Sequence, residues 1–295
     1  MMTQSAAART TGSYRDVLRV SMPLVISMTT TVVMTFTDRV FLANYSIDAI
    51  AAALPAGIIA FVFLVFFADT AGYTNVIIAQ YTGAGALQRV GSALWQAIYF
   101  AIIAWLIMVG LSFGAGPLFR LVGHSAEVQQ LEVIYFRVLC LGSGIHIIGM
   151  SLSSFFTGRG VTRPVMIIHI IAMLLNVPLD YALINGIWIF PEMGILGAAI
   201  ATVFSWTSAT LLLGFFVFAR ENDSTFKTRQ NYHFDADLVR RLLRYGVPSS
   251  LQFSLDVLAF GLFVLMVGRI GKAELVVTSI AISLDSVSFR PLSGL

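Results

Sequence analysis

AAALPAGIIAFVFLVFFADTAGYTNVIIAQ, residues 51–80, carries a single charged side chain, Asp69. Crossing about 30 Å of hydrocarbon at about 1.5 Å per residue takes about 20 residues, so this stretch is long enough to span a bilayer. It shows no alternation of apolar and polar positions, which favours a helix over a strand of a barrel. Working outward, comparable runs occupy approximately 18–43, 92–118, 131–157, 162–188, 194–219 and 245–269, and an eighth begins near 274. Backbone groups left unpaired in lipid are costly, so each run is predicted to be helical. The chain reads as an all-α integral membrane protein, a polytopic bundle with about eight helices present.

Composition agrees. Of the 295 residues 58% are hydrophobic and only 11% are charged, against about 25% charged in a soluble domain. The polar start MMTQSAAARTTGSYRD lacks the apolar core and small-residue cleavage site of a secretory signal. The lone cysteine, Cys140, lies inside an apolar run, which leaves no intrachain disulfide and no CxxC metal or redox site. The basic pI of 9.2 reflects arginines and lysines in short loops and is not read as a nucleic-acid signal. With the N-terminus inside, Arg9, Arg15, Arg19, Arg89, Arg159, Arg163, Arg220, Lys227, Arg229, Arg240, Arg241 and Arg244 fall on the cytoplasmic side, twelve of the 18 basic residues. The positive-inside rule therefore predicts a cytoplasmic N-terminus.

The approach to the first run, Leu18-Arg19-Val20-Ser21-Met22-Pro23, resembles the approach to the seventh, Leu243-Arg244-Tyr245-Gly246-Val247-Pro248, at an offset of 225 residues. Six intervening helices give both copies the same orientation, so the expected plan is two parallel six-helix repeats about an axis along the membrane normal. On this reading residues 1–219 form a first lobe, 220–244 a cytoplasmic linker, and 245–295 the first two helices of a second lobe. The second repeat is incomplete here, and the chain is expected to be truncated.

An ionisable group at membrane depth is expensive unless it is paired or faces a wet cavity, which makes each one a functional candidate. Asp38 and Asp180 fall at similar depth in the outer halves of two helices running the same way. Asn176 precedes Asp180 by one turn and shares its face, and Pro178 between them frees a backbone carbonyl. These three residues form a candidate proton or sodium site. Local pairing of Asp38 with Arg39, and a purely structural hydrogen bond for Asp180, are the competing readings. Asp69 is a secondary candidate, as is Asp285, and Asp256 is a candidate for a second-lobe site. His146 and His169 read as packing residues. No P-loop, GxSxG, HExxH or glycine-rich nucleotide motif occurs, so no enzyme activity and no cofactor is expected, and energy would come from an ion gradient.

The ordered set Pro23, Phe36-Thr37-Asp38, Ala79-Gln80-Tyr81-Thr82-Gly83-Ala84-Gly85, Phe156-Thr157-Gly158-Arg159-Gly160 with Pro164, and Asn176-Val177-Pro178-Leu179-Asp180 followed by Pro191, Gly194, Gly197-Ala198-Ala199 and Ala201-Thr202 resembles the multidrug and toxic compound extrusion (MATE) family. The resemblance covers nearly the whole chain. It implies a twelve-helix antiporter of the plasma membrane, in bacteria the inner membrane, exporting small-molecule drugs or organic cations in exchange for protons or sodium ions. It also implies that Asp38, Asn176 and Asp180 form the cation site of the first lobe. Asp256 stands where many members carry a glutamate, Asp285 where an asparagine is usual, and Arg290 where an apolar residue is expected. Two alternatives are a lipid-linked saccharide flippase of the same superfamily, for which only Arg39 and Arg290 could supply a basic cavity, and a non-transporting truncated or partner subunit.

Overall fold

The computed structural model describes residues 14–271 and 273–282, and among these every regular element is helical. In chain order they are α1 (Tyr14–Tyr45), α2 (Ile47–Gly72), α3 (Thr74–Gly83), α4 (Gln88–Phe113), α5 (Ala115–Val122), α6 (Ala126–Thr157), α7 (Arg163–Asn185), α8 (Ile195–Val217), α9 (Arg220–Phe226) and α10 (Ala236–Ile270). A further helical segment covers Ala273–Ile282. Seven spans among the described residues are long and apolar enough to cross a membrane, and the protein is a multi-pass membrane protein.

The apolar run opening at residue 51 is one span from Ile47 to Gly83, but its helix breaks at Tyr73, where α2 hands over to α3. Ser46 caps the start of α2, its hydroxyl accepting from the amides of Asp48 at 3.2 Å and Ala49 at 3.5 Å. The 92–118 run likewise divides at Gly114 into α4 and the short α5.

Helices α1, α7, α8, α6 and α2 pack one against the next, and α1 also meets α2, which closes a ring. Helix α4 supports α6 from outside, and α10 lies along α2. In lipid, helix association depends on close backbone approach and on polar groups that bond across the interface. The alanines at 49, 51, 52, 53, 56 and 60 of α2 supply the first. The second comes from Ser205, donating to the Ala172 carbonyl at 3.1 Å, Thr210, donating to that of Ile145 at 2.9 Å, and Thr70 and Ser250, whose hydroxyls share a bond of 2.6 Å between α2 and α10.

The polar stretch 220–244 is built as an ordered strap. Along α4, Trp95 Nε1 donates to the Thr228 carbonyl at 2.7 Å and Gln96 Nε2 to that of His233 at 2.9 Å, while Tyr99 bonds the Tyr232 carbonyl. Gln96 Oε1 accepts from the Asp235 amide at 3.2 Å, and Arg89 pairs with the Asp235 carboxylate at 3.1 Å. Asp235 also caps α10 by accepting from the amides of Asp237 and Leu238, so α10 begins at Ala236, well before the apolar run at 245. At the same end Arg159 lies between the rings of Phe155, at 3.8 Å, and Phe226, at 4.4 Å. Burial lowers its guanidinium from 12.5 to about 10, so it stays protonated at neutral pH.

Gln96 holds both a carbonyl and an amide of the strap. Gln96→Ala is therefore expected to raise hydrogen exchange across 233–238 by about fivefold to tenfold, the equivalent of about 1–1.5 kcal/mol for a lost bond. Exchange measured by mass spectrometry that is unchanged over this segment would show that the strap is held by other contacts.

Candidate cation and ligand site

Each helix of the ring turns part of its inner face toward a common cavity of about 220 Å³, part of it open to the surroundings. Helix α1 contributes Met34, Asp38 and Arg39, α2 Phe61 and Leu64, α6 Tyr135 and His146, α7 Asn176, and α8 Thr202 and Trp206, with Met108 of α4 behind them. The wall is mostly apolar, with aromatic and thioether groups, and carries a few polar groups at defined points, the usual make-up of a small-molecule pocket.

Asp38, Asn176 and Asp180, chosen from the sequence as one site, are brought together. They are 7%, 2% and 1% exposed. Helices α1 and α7 lie side by side, which places the carboxyls of Asp38 and Asp180 close enough to act on each other. Helix α7 continues unbroken through Pro178, so Asn176 and Asp180 keep the shared face that their four-residue spacing predicts. Tyr135 of α6 donates its hydroxyl to Asp38 Oδ2 at 3.3 Å. Among the described residues no donor reaches Asp38 Oδ1 or either oxygen of Asp180. Buried acceptors without donors are rare in folded proteins, and two adjacent buried carboxyls repel when both are ionised. A proton or a small cation between them satisfies the open lone pairs and removes the repulsion. Arg39 borders the same cavity and acts on Asp38 electrostatically.

The other candidates lie elsewhere. Asp69 sits half-buried on α2 just before the Tyr73 break and does not line the cavity. Asp256 is exposed on α10 and does not line the cavity. Asp285 and Arg290 lie outside the described residues. Three residues take positions that the sequence did not signal. Tyr135 is one, since a tyrosine in an apolar run is unremarkable until its partner is known. His146, read as packing, borders the cavity, its ring tilted by 46° against Trp206 with centroids 4.8 Å apart. Glu132 is fully buried against His124; it is the second residue of the 131–157 run and reads there as an edge.

Comparison with known proteins follows the same lines. The chain is 29% identical over 286 residues to the probable multidrug resistance protein NorM of Thermotoga maritima, covering 95% of this chain and 60% of the relative. It is 23% identical over 281 residues to the multidrug resistance protein NorM of Vibrio cholerae, covering 94% and 61%. The chain thus spans about three fifths of the length of the curated relatives it matches. Its fold is similar to that of the MATE multidrug transporter DinF-BH, with a TM-score of 0.85 over 100% of this chain and 66% of that one at 20% identity. The MatE family model matches residues 23–182, a segment that holds α2 to α6 whole together with Asp38, Tyr135, Asn176 and Asp180, and the chain belongs to that family.

Proposed function

We propose that this chain works in a cation-driven multidrug efflux antiporter, exporting amphipathic and often cationic small molecules in exchange for protons or sodium ions. The observation that carries this reading is the pair of adjacent buried carboxyls, Asp38 and Asp180, with open oxygens among the described residues, the first of which lines the cavity within the helix ring. A ligand shifts a conformational equilibrium only by its differential affinity for the two states. A cation bound between these carboxyls favours close approach of α1 and α7, whereas its departure restores their repulsion and favours separation. The cavity volume, bounded by α1, α7 and their neighbours, then depends on cation occupancy, and a bound drug and a bound cation compete for one deformable space. The relatives' description as multidrug resistance proteins and the mixed aromatic and methionine wall support drug-like substrates. The basic loop distribution supports a cytoplasmic N-terminus in a plasma membrane, the inner membrane of a bacterium.

Ethidium efflux from cells expressing the full chain tests the proposal directly. Export is expected to stop when the proton and sodium gradients are both collapsed, and to return when one of the two is re-imposed. Export that persists without either gradient, or no export at all, would refute it, and the gradient that restores export identifies the ion.

A further inference from the structure

Helix α10 starts ahead of its apolar run, and that lead-in carries Arg240, Arg241 and Arg244. Leu238, Leu242 and Gly246 are buried on its inner side, the two leucines in the same apolar cluster as Ile77, Ile78 and Val90. This packing fixes which way each arginine faces. Arg241 turns toward α3 and donates to Gln80 Oε1. Arg240 and Arg244, one turn apart, are exposed on the outer side and border an open groove with Phe234, Leu243 and Val247. The Arg244 guanidinium lies over the ring of Tyr245, 5.6 Å from its centroid. Neither Arg240 nor Arg244 has an acidic partner among the described residues. Asp237 sits in the first turn of α10, where the positive pole of the helix already favours a carboxylate.

Two guanidiniums four residues apart stand about 6 Å from each other along the axis, and like charges at this spacing repel. An anion between them removes the repulsion, and the guanidinium fork matches the oxygens of a phosphate. At about 3.6 residues per turn the same face returns at Leu251, Leu255, Leu258 and Leu262, and all four leucines are exposed. The basic pair therefore heads an apolar stripe that runs about 27 Å along the helix. One leaflet of hydrocarbon is about 15 Å thick. Leu251 and Leu255, about 10 Å and about 16 Å beyond Arg244, lie at the depth of the acyl chains in the leaflet whose phosphates meet the arginines. A free phosphate would leave the stripe bare, and a zwitterionic headgroup would bring a cation of its own to the arginines. An acidic phospholipid satisfies both parts of the face.

We propose that Arg240, Arg244 and the leucine stripe of α10 form a binding site for an acidic phospholipid of the strap-side leaflet, its phosphate held between the two guanidiniums and an acyl chain lying along Leu251 and Leu255. The lipid fastens the start of α10 to the membrane surface on the side away from its packing against α2 and α4.

Native mass spectrometry of the full chain in detergent, titrated with dioleoyl phosphatidylglycerol or dioleoyl phosphatidylcholine, tests the site. The first phosphatidylglycerol is expected to bind about tenfold more tightly than the first phosphatidylcholine, since each arginine near an acidic headgroup adds to its affinity. Arg240→Gln with Arg244→Gln should abolish that preference, whereas Arg220→Gln, at an exposed arginine of α9, should keep it. Arg240→Lys with Arg244→Lys, which retains the charge without the fork, should give an intermediate preference. Leu251→Gln with Leu255→Gln should weaken phosphatidylglycerol about fivefold by wetting the stripe, and inorganic phosphate in large excess should not displace the lipid. Equal binding of the two lipids by the wild type, or a preference that survives the paired glutamine substitution at the arginines, would overturn the site. Displacement by inorganic phosphate with no effect of the leucine substitutions would assign the arginines to a free anion and overturn it as well. So would a dimer of the chain that excludes the lipid, because a second copy would then cover this face. Should the arginine substitutions prevent folding, the wild-type comparison of the two lipids and the phosphate competition still decide. The readout is lipid binding, so its outcome is independent of dye export.

Discussion

Asp180→Asn is expected to bring ethidium export down to the level of cells lacking the protein while raising the thermal midpoint of the purified chain. Both effects follow from one arrangement. Asp38 and Asp180 act on each other in a nearly closed setting, and among the described residues three of their four oxygens meet no protein donor. An asparagine at 180 keeps the size of the side chain, removes one of two like charges, and supplies an amide that can donate to Asp38 Oδ1. A bond to a charged acceptor contributes about 1.5–3 kcal/mol, so the midpoint should rise by several degrees. Export should fail because the repulsion that separates α1 from α7 when the cation leaves no longer exists. Such a trade of stability against activity is the expected mark of a strained functional site. Asp38→Asn should also stop export, but with less stabilisation, because it leaves Arg39 without the carboxylate on which it acts. Matched expression levels, dye efflux and thermal scans measure all of this. Export by Asp180→Asn at the wild-type rate would remove the carboxyl pair from the mechanism.

The sequence exposes this pair because the physics of membrane depth is local. A carboxylate in an apolar run is costly wherever the run is placed, so Asp38 and Asp180 stand out before any packing is known. The four-residue spacing of Asn176 and Asp180 then follows from helix geometry alone. The seven membrane spans are legible for the same reason, since length and apolarity suffice. What the sequence withholds is set by contacts between distant segments. Asp256 carries the same charge in a similar run, yet whether it meets a cavity depends on which helices flank α10, and among the described residues it is exposed. Tyr135 matters only because α6 brings its hydroxyl to α1. The breaks at Tyr73 and Gly114 fall inside runs that length and apolarity alone read as continuous, although Gly72 before the first and Gly114, Gly116 and Pro117 at the second are breaker residues. Stretch 220–244 reads as a linker from its polarity, but its order comes from Trp95, Gln96 and Tyr99, more than a hundred residues earlier, whose spacing aims them along one face of α4.

Gly144→Ala is expected to destabilise the protein, and Gly110→Ala, in the neighbouring helix, to stabilise it. Both glycines lie in long helices, where replacing glycine by alanine ordinarily gains about 0.5–1 kcal/mol through backbone entropy. Gly110 has open space where a methyl group would be placed, so it should show that gain undiminished. Gly144 instead faces Trp105 of α4, and a Cβ there would fall far inside van der Waals contact with the indole atoms. The indole cannot turn aside freely, because its Nε1 donates to the Leu141 carbonyl at 2.9 Å, and on the next face of α6 Gly142 abuts Val203 of α8 with no more room. Helix α6 is therefore held between two neighbours, and one added methyl must push α4 away or break the indole bond. Overpacking of this kind costs about 1–3 kcal/mol, more than the entropic gain returns. His146 lies two residues farther along and Tyr135 nine residues back, both lining the cavity, so a displaced α6 should weaken dye binding together with stability, whereas Gly110→Ala should leave binding unchanged. Thermal midpoints and dye titrations of the two variants side by side separate a general effect of the added methyl from the close approach at Gly144. Equal shifts in both would mean that α4 and α6 are not in tight contact at this point.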